Sequence, residues 1–204
     1  MSVLVRPAVP ADVARIVSVH QSAFEGFLLT QLGTRFLTLF YRAFLEQEGG
    51  QLLVAVDAAG QVIGLLAGIR TPSVFFATLR RRRAVSFAFA AVPALVRHPL
   101  IVAERLWAAI RYRGDRPVAL PGYWLLSSLG VAKFSIGAGA GGALVTRFCE
   151  DASRAGAPGV YLLTDASENE ATQHFYARHG FAVYGTQKRS NGRQLLILTR
   201  SFSQ

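Results

Sequence analysis

One cysteine and twelve carboxylates stand in a chain of 204 residues. The lone Cys149 excludes an intramolecular disulfide, so the fold must be held by packing, and a reducing, cytoplasmic setting is expected. On the helix expected there, Cys149 reads as a small core residue rather than a nucleophile. No uncharged stretch reaches the roughly 18 apolar residues that a membrane span needs. Arg6, Pro7, Pro10 and Asp12 interrupt the N-terminus before the apolar region of a secretory signal can form. Internal repeats are absent. Negative charge is scarce, and the formal net charge is +10. The imbalance is local. Residues 70–116 hold Arg70, Arg80, Arg81, Arg82, Arg83, Arg97, Arg105, Arg111, Arg113 and Arg116 against only Glu104 and Asp115, so this segment needs its own explanation.

An apolar fraction of 51% is ample for a core, and the length suits a single domain over 1–204 with an insertion at about 71–120. Val3–Arg6 reads as a short strand. Pro10-Ala11-Asp12 opens a helix with Val13, Ile16, Val17 and His20 on one face, where His20 reads as packed core. The spacing of Leu32, Phe36, Leu39, Phe40 and Ala43 predicts one helix from about Leu29 to Phe44, which Gly33 weakens slightly. Residues 52–56 and 62–69 predict neighbouring antiparallel strands, joined by a short link containing Gly60. In the insertion, Ser73–Leu79, Ala84–Val96 and Ile101–Ile110 are helical in pattern. Four arginines separate the first two pieces, and Pro93 is expected to kink or cut the second. After a strand at 124–131 come a glycine cluster, a helix to about Ala155, a strand at 160–164, a helix at Ser167–His179 and strands at 181–184 and 195–199. Asn191-Gly192 turns between the last two.

The stretch that organises the rest is 124–142, WLLSSLGVAKFSIGAGAGG. A buried strand, a loop without side chains and a helix start make an anion site, because free N–H groups and the positive end of the helix dipole meet there. The plain alternative is a flexible turn. A second enzyme reading uses Gly137, Gly139 and Gly142 as G-x-G-x-x-G, with Asp165 as the ribose acid of a dinucleotide fold. Against it, the acid comes later than the usual spacing of about 20 residues, and the loop lies too far along the chain to leave two βαβαβ halves.

The element order, with VAKFSIGAGAGGALV and then NEATQHFYARHGF, resembles the GNAT superfamily of acyl-CoA-dependent N-acyltransferases over essentially everything outside 71–120. The resemblance implies an α/β fold with a mixed, mostly antiparallel central sheet flanked by helices, the insertion preceding the central strand. It implies acetyl-CoA or another acyl-CoA as cosubstrate and transfer to an amine. Gly139 and Gly141 take the small positions of the family's Arg/Gln-x-x-Gly-x-Gly/Ala loop, while Ile136 replaces its Arg or Gln. Asn169, Phe175, Tyr176, Gly180 and Phe181 follow the family's second block.

By that resemblance, Ile136, Gly137, Gly139, Gly141 and Gly142 border the pyrophosphate, the main chain of Leu129 and Val131 pairs with the pantetheine amides, and Asn169 stands near that arm. Tyr176 is the candidate acid that protonates the leaving thiolate; its alternative is a core aromatic. No metal ligands are named. The central strand offers Ser127 and Ser128 but no carboxylate, so the base stays open among Glu25, Asp165, Glu168, His174 and simple positioning of a neutral amine. For the insertion, packing, a second subunit, a peripheral membrane contact and an edge of the acceptor site are all open. Its apolar surroundings make nucleic acid the weakest partner. Its arginines favour a small amine acceptor with anionic groups, such as a nucleotide-linked amino sugar.

Overall fold

The computed structural model describes residues 3–97, 120–167, 169–188 and 192–202. The helix expected at 101–110, the arginines beyond 97, Glu168 and Asn191 lie outside the described residues.

Among the described residues, strands β1 (Leu4–Pro7), β2 (Gly50–Val56), β3 (Val62–Ile69), β4 (Trp124–Val131), β5 (Gly159–Asp165), β6 (Ala182–Lys188) and β7 (Gln194–Ser201) form one sheet in the order β1-β2-β3-β4-β5-β7-β6. All neighbours are antiparallel except β4 and β5. This is the expected mixed, mostly antiparallel sheet. It also rules out the dinucleotide reading, whose doubly wound sheet is parallel.

The long apolar runs follow from burial on both faces. Leu52, Val54, Leu65, Ala67 and Ile69 point to one layer, with α1 (Val13–Ala23) and α3 (Thr34–Glu46). Leu53, Ala55, Ile63 and Leu66 point to the other, with α5 (Ala140–Arg154) and α6 (Glu170–Arg178). Helix α3 buries Phe36, Leu37, Phe40, Tyr41 and Phe44 in one stripe, and each such side chain stabilises by about 1.5–3 kcal/mol. Gly68 on β3 has a packing cause: a Cβ there would stand 2.1 Å from Cε2 of the buried Phe148 on α5.

Two helical expectations are corrected. The helix expected over Leu29–Phe44 is two, α2 (Leu28–Gln31) and α3, because Gly33 adopts φ +89° and turns the chain between them. The expected break at the arginines and the expected cut at Pro93 do not occur. Helix α4 (Pro72–Arg97) is continuous through both. Arginine is a good helix former, and side-chain packing holds the piece around Pro93. Phe87 packs on Phe36 with ring centroids 4.8 Å apart, and Ala90, Ala91 and Ala94 bury against Leu32 and Phe36. Nearer its start, Phe75 meets Phe44 at 4.9 Å and Arg83 pairs with Glu46. The opposite face carries Val85, Phe89, Val92 and Val96, all exposed.

Candidate active site

The site grows from an interrupted ladder. β4 pairs with β5 only at Trp124↔Val160 and Leu125↔Tyr161, after which the two strands part. β5 stays paired with β7 along its whole length, so the gap opens on the β4 side. On its other edge β4 follows β3, but Gly68 faces Leu126 and Ala67 faces Ser128, leaving Ser127 as a bulge where the gap begins. A bulge bends its strand and increases local twist, which turns β4 away from β5.

Hydrogen-bond parity tells which groups face the gap. The Ala132 N–H donates to Ile63 O at 2.8 Å. Counting back in steps of two, Gly130 and Ser128 also bond towards β3. The N–H and C=O of Leu129 and Val131 therefore face the gap, an edge of main-chain donors and acceptors open to a partner.

At the end of β4 the chain makes a 3₁₀ turn at Lys133–Ser135 and enters the glycine loop. Gly137 and Gly139 have φ +89° and +80°, and a Cβ on either would meet nothing within 4 Å. Gly139 is the N-cap of α5, and the helix's first bond runs from Ala143 N–H to Gly139 O at 3.0 Å. The N–H groups of Ala140, Gly141 and Gly142 precede that bond, with no backbone partner among the described residues. An added Cβ at Gly141 would lie 3.4 Å from Phe175 and 3.6 Å from Val131, which places it between the helix start and the mouth of the gap. Gly142 has a separate reason to be glycine: its Cβ would stand 2.7 Å from His179 Nε2. Ile136 is 74% exposed at the rim.

Helix α6 closes the same side. His179 donates through Nδ1 to Phe175 O at 2.7 Å, and the Phe175 and His179 rings meet at 4.5 Å, so the helix docks on the first turn of α5 through these two rings. Tyr176 is 6% exposed, edge-on to Phe175 and Phe181 at 5.1 and 5.4 Å. Burial raises its pKa, so the phenol stays a proton-bearing donor. Asn169 caps the start of α6. Its Nδ2 donates to Thr164 Oγ1 and, at 3.5 Å, to Asp165 O, which fixes the amide at the end of β5.

The base candidates do not converge. Asp165 is held by a two-pronged pair with Arg193. Glu25 bridges to Lys133 at 2.6 Å in the open. His174 is exposed on the outward face of α6, in a surface hollow of about 520 Å³ with Ala171, Ala177 and Arg178, away from the gap. Among the described residues no group of three His, Cys, Asp or Glu side chains could hold a metal ion. Cys149 is buried and its thiol is pushed up to about 11 by desolvation, the behaviour of a core residue.

The opposite layer holds a buried polar pair that no sequence pattern marks. His20 on α1 and Tyr41 on α3 are both buried, with Nδ1 and Oη 2.6 Å apart. Desolvation holds His20 down at about 4, so its ring is neutral.

The sequence matches the profile of the Acetyltransferase (GNAT) family over residues 16–181. No curated protein matches by sequence. Solved structures do. An acetyltransferase of the GNAT family from Desulfovibrio desulfuricans superposes with a TM-score of 0.63 at 16% identity, over 98% of this chain and 99% of that one. The histone acetyltransferase HPA2 and related acetyltransferase structure from Corynebacterium glutamicum gives 0.64 at 21%, over 100% and 99%. The ribosomal-protein-S18-alanine N-acetyltransferase of Escherichia coli gives 0.62 at 12%, over 100% and 96%. At these identities the structures speak for the fold. The family match over most of the chain carries the rest: this protein belongs to the GNAT family of acetyltransferases, enzymes that use acetyl-CoA or another acyl-CoA.

Proposed function

We propose that this acetyltransferase transfers its acyl group to a primary amine of a small-molecule acceptor. The observation that carries the reading is the junction of an unpaired β4 edge with the bare N-terminus of α5. An extended arm bearing amides can add to the first as a strand would, and a pyrophosphate can sit on the second. Gly137, Gly139, Gly141 and Gly142 would cradle the phosphates through main-chain N–H groups, with Ile136 at the rim in place of a charged side chain. Leu129 and Val131 would hold the arm's amides, and Asn169 would steady it from the end of β5. Acyl-CoA, when bound, supplies a thioester carbonyl open to attack. Tyr176 would donate a proton at the leaving sulfur as the carbon–sulfur bond breaks. The test is calorimetry: CoA and acetyl-CoA are expected to bind the wild-type chain, and absence of binding to both overturns the reading.

The acceptor's charge is a further part of the proposal. Arg81 and Arg82 are exposed on α4, and helix α4 packs on α2 and α3 of the layer opposite the glycine loop. Arginine there would favour an acceptor carrying anionic groups, an anionic amino sugar being one example. Replacing both by glutamine is expected to raise the KM of anionic amines about threefold to tenfold and leave that of neutral amines unchanged. Equal effects on both classes, or none, remove this part.

The second reading treats the fold as a binding module, with α4 as its contact. The exposed Val85, Phe89, Val92 and Val96 beside Arg81 and Arg82 favour it, since an apolar stripe flanked by cations suits an anionic membrane surface, and an apolar face also suits a second copy of the chain. Salt-dependent sedimentation with anionic vesicles tests the membrane contact; the same amount pelleted with neutral vesicles removes it. A sedimentation-equilibrium mass equal to one chain removes the second copy.

A further inference from the structure

His20, Phe24 and Phe27 stand in a row at the end of α1. His20 is 2% exposed, Phe24 is half-buried and Phe27 is 53% exposed, so the row runs from the core to solvent. The His20 and Phe24 ring centroids lie 4.7 Å apart, and those of Phe24 and Phe27 lie 5.7 Å apart, edge to face at 74°. A lone exposed Phe is ordinary. This one is the outer end of a packed row, on a segment fixed from both sides. The Phe24 N–H donates to His20 O at 2.9 Å as α1 ends. The Phe24 carbonyl accepts from the Phe27 N–H at 3.2 Å and from Thr30 Oγ1 at 2.6 Å. Glu25 bridges to Lys133 at 2.6 Å and ties the segment to the turn after β4. A ring held in place in advance loses little freedom when a ligand lands on it.

The row also reaches the gap. A Cβ on Gly130 would stand 2.9 Å from Phe24 Cε2 and 3.2 Å from the Ala23 Cβ. Glycine inside a strand weakens it and marks the close approach of another group. Here that group is the Phe24 ring, which lies on β4 beyond its last pair with β5. At the gap β4 therefore has two unlike faces. Leu129, Val131 and Tyr176, given above to the cofactor, pack in the layer of α5 and α6. The face towards α1 is left to the second reactant, and its border there is aromatic.

We propose that Phe24 and Phe27 form a specificity-determining wall of the acceptor site, and that the acceptor is a primary amine carried on an aromatic body. The inference rests on the acyltransferase reading above, names the body of its acceptor and is independent of the acceptor's charge. Aromatic rings attract one another in offset and edge-to-face contacts. More than half of Phe27 is uncovered, so a third ring can extend the row. Such a ring removes its own apolar surface and that of Phe27 from water, and a small polar amine gains neither.

The test compares 2-phenylethylamine with ethanolamine, two primary amines of similar basicity, as acceptors with acetyl-CoA. The wild type is expected to favour 2-phenylethylamine in kcat/KM by about tenfold or more. Phe27→Ala is expected to remove most of that preference, with ethanolamine turnover and acetyl-CoA affinity within about twofold of wild type. Phe27 is exposed, so its replacement should leave the fold intact. Phe27→Tyr, which keeps the ring, is expected to keep the preference. Proton NMR gives a readout without turnover: 2-phenylethylamine, and not ethanolamine, should shift the ring resonances of Phe27. The proposal is overturned if the wild type favours neither amine, if Phe27→Ala keeps the full preference, or if the Phe27 resonances stay in place. Binding of acetyl-CoA without turnover of either amine also overturns it, while the acyltransferase assignment stands. If acetyl-CoA does not bind, the assignment falls and the acceptor wall falls with it.

Discussion

Tyr176→Phe is expected to lower kcat about a hundredfold, the middle of the range for loss of a general acid, with acyl-CoA affinity within about twofold of wild type. The ring is held by Phe175 and Phe181 in edge contacts, and phenylalanine keeps both. Among the described residues no side chain hydrogen-bonds the Tyr176 hydroxyl, so its removal breaks no bond among them. Melting temperature should therefore stay level or rise slightly. The elevated pKa fixes the sign of the pH dependence. A phenol that desolvation keeps protonated does not titrate in the neutral range, so Tyr176 contributes no alkaline limb to the rate near pH 8. An acid of ordinary phenolic pKa would lose its proton near pH 10. Single-turnover measurements separate chemistry from product release. Unchanged single-turnover rates for Tyr176→Phe would return the residue to the core.

Gly141→Leu is expected to weaken CoA binding by roughly a hundredfold or more. A Cβ at this position fits, at 3.4 Å from Phe175 and 3.6 Å from Val131, but a branched side chain extends past both into the mouth of the gap. Phosphate oxygens would then stand off from the helix N–H groups. Each hydrogen bond to a charged group contributes about 1.5–3 kcal/mol, so the loss of two accounts for the factor. The fold should not suffer, because leucine is a better helix former than glycine by roughly 0.8–1 kcal/mol. Circular dichroism checks the fold and calorimetry the affinity. Wild-type affinity in a folded variant would mean that the phosphates do not approach Gly141.

Much of this was legible in the chain. The ends of β3 and β4 fall where their apolar runs end, because strands buried on both faces have no polar alternation to blur them. The glycine loop was visible as composition. What escaped depends on contacts between distant residues. The bulge at Ser127 arises from register against β3, and nothing in Leu-Ser-Ser-Leu announces it. The gap exists because β4 leaves β5 after two residue pairs, while the other edge of β5 stays with β7 for seven. His20 and Tyr41 come from two helices, and each alone reads as core. Gly33 sat inside an apolar period that continues on both sides, so periodicity outvoted it. Four consecutive arginines look like a divider, yet arginine is a good helix former and α4 runs through them.

The two residue pairs between β4 and β5 also decide how the molecule carries load. On one side stands the meander β1 to β4, on the other the group β5, β7 and β6, and the ladder between them is too short to transmit shear. Stiffness across that seam has to come from α5, which packs against β1, β2, β3, β4 and β5 together, with Leu144, Val145 and Phe148 buried beneath it. The helix is the crossbeam of the domain. Its first turn is also the proposed anchorage for the phosphates, so the element that a bound cofactor grips is the same one that locks the two halves of the sheet to each other.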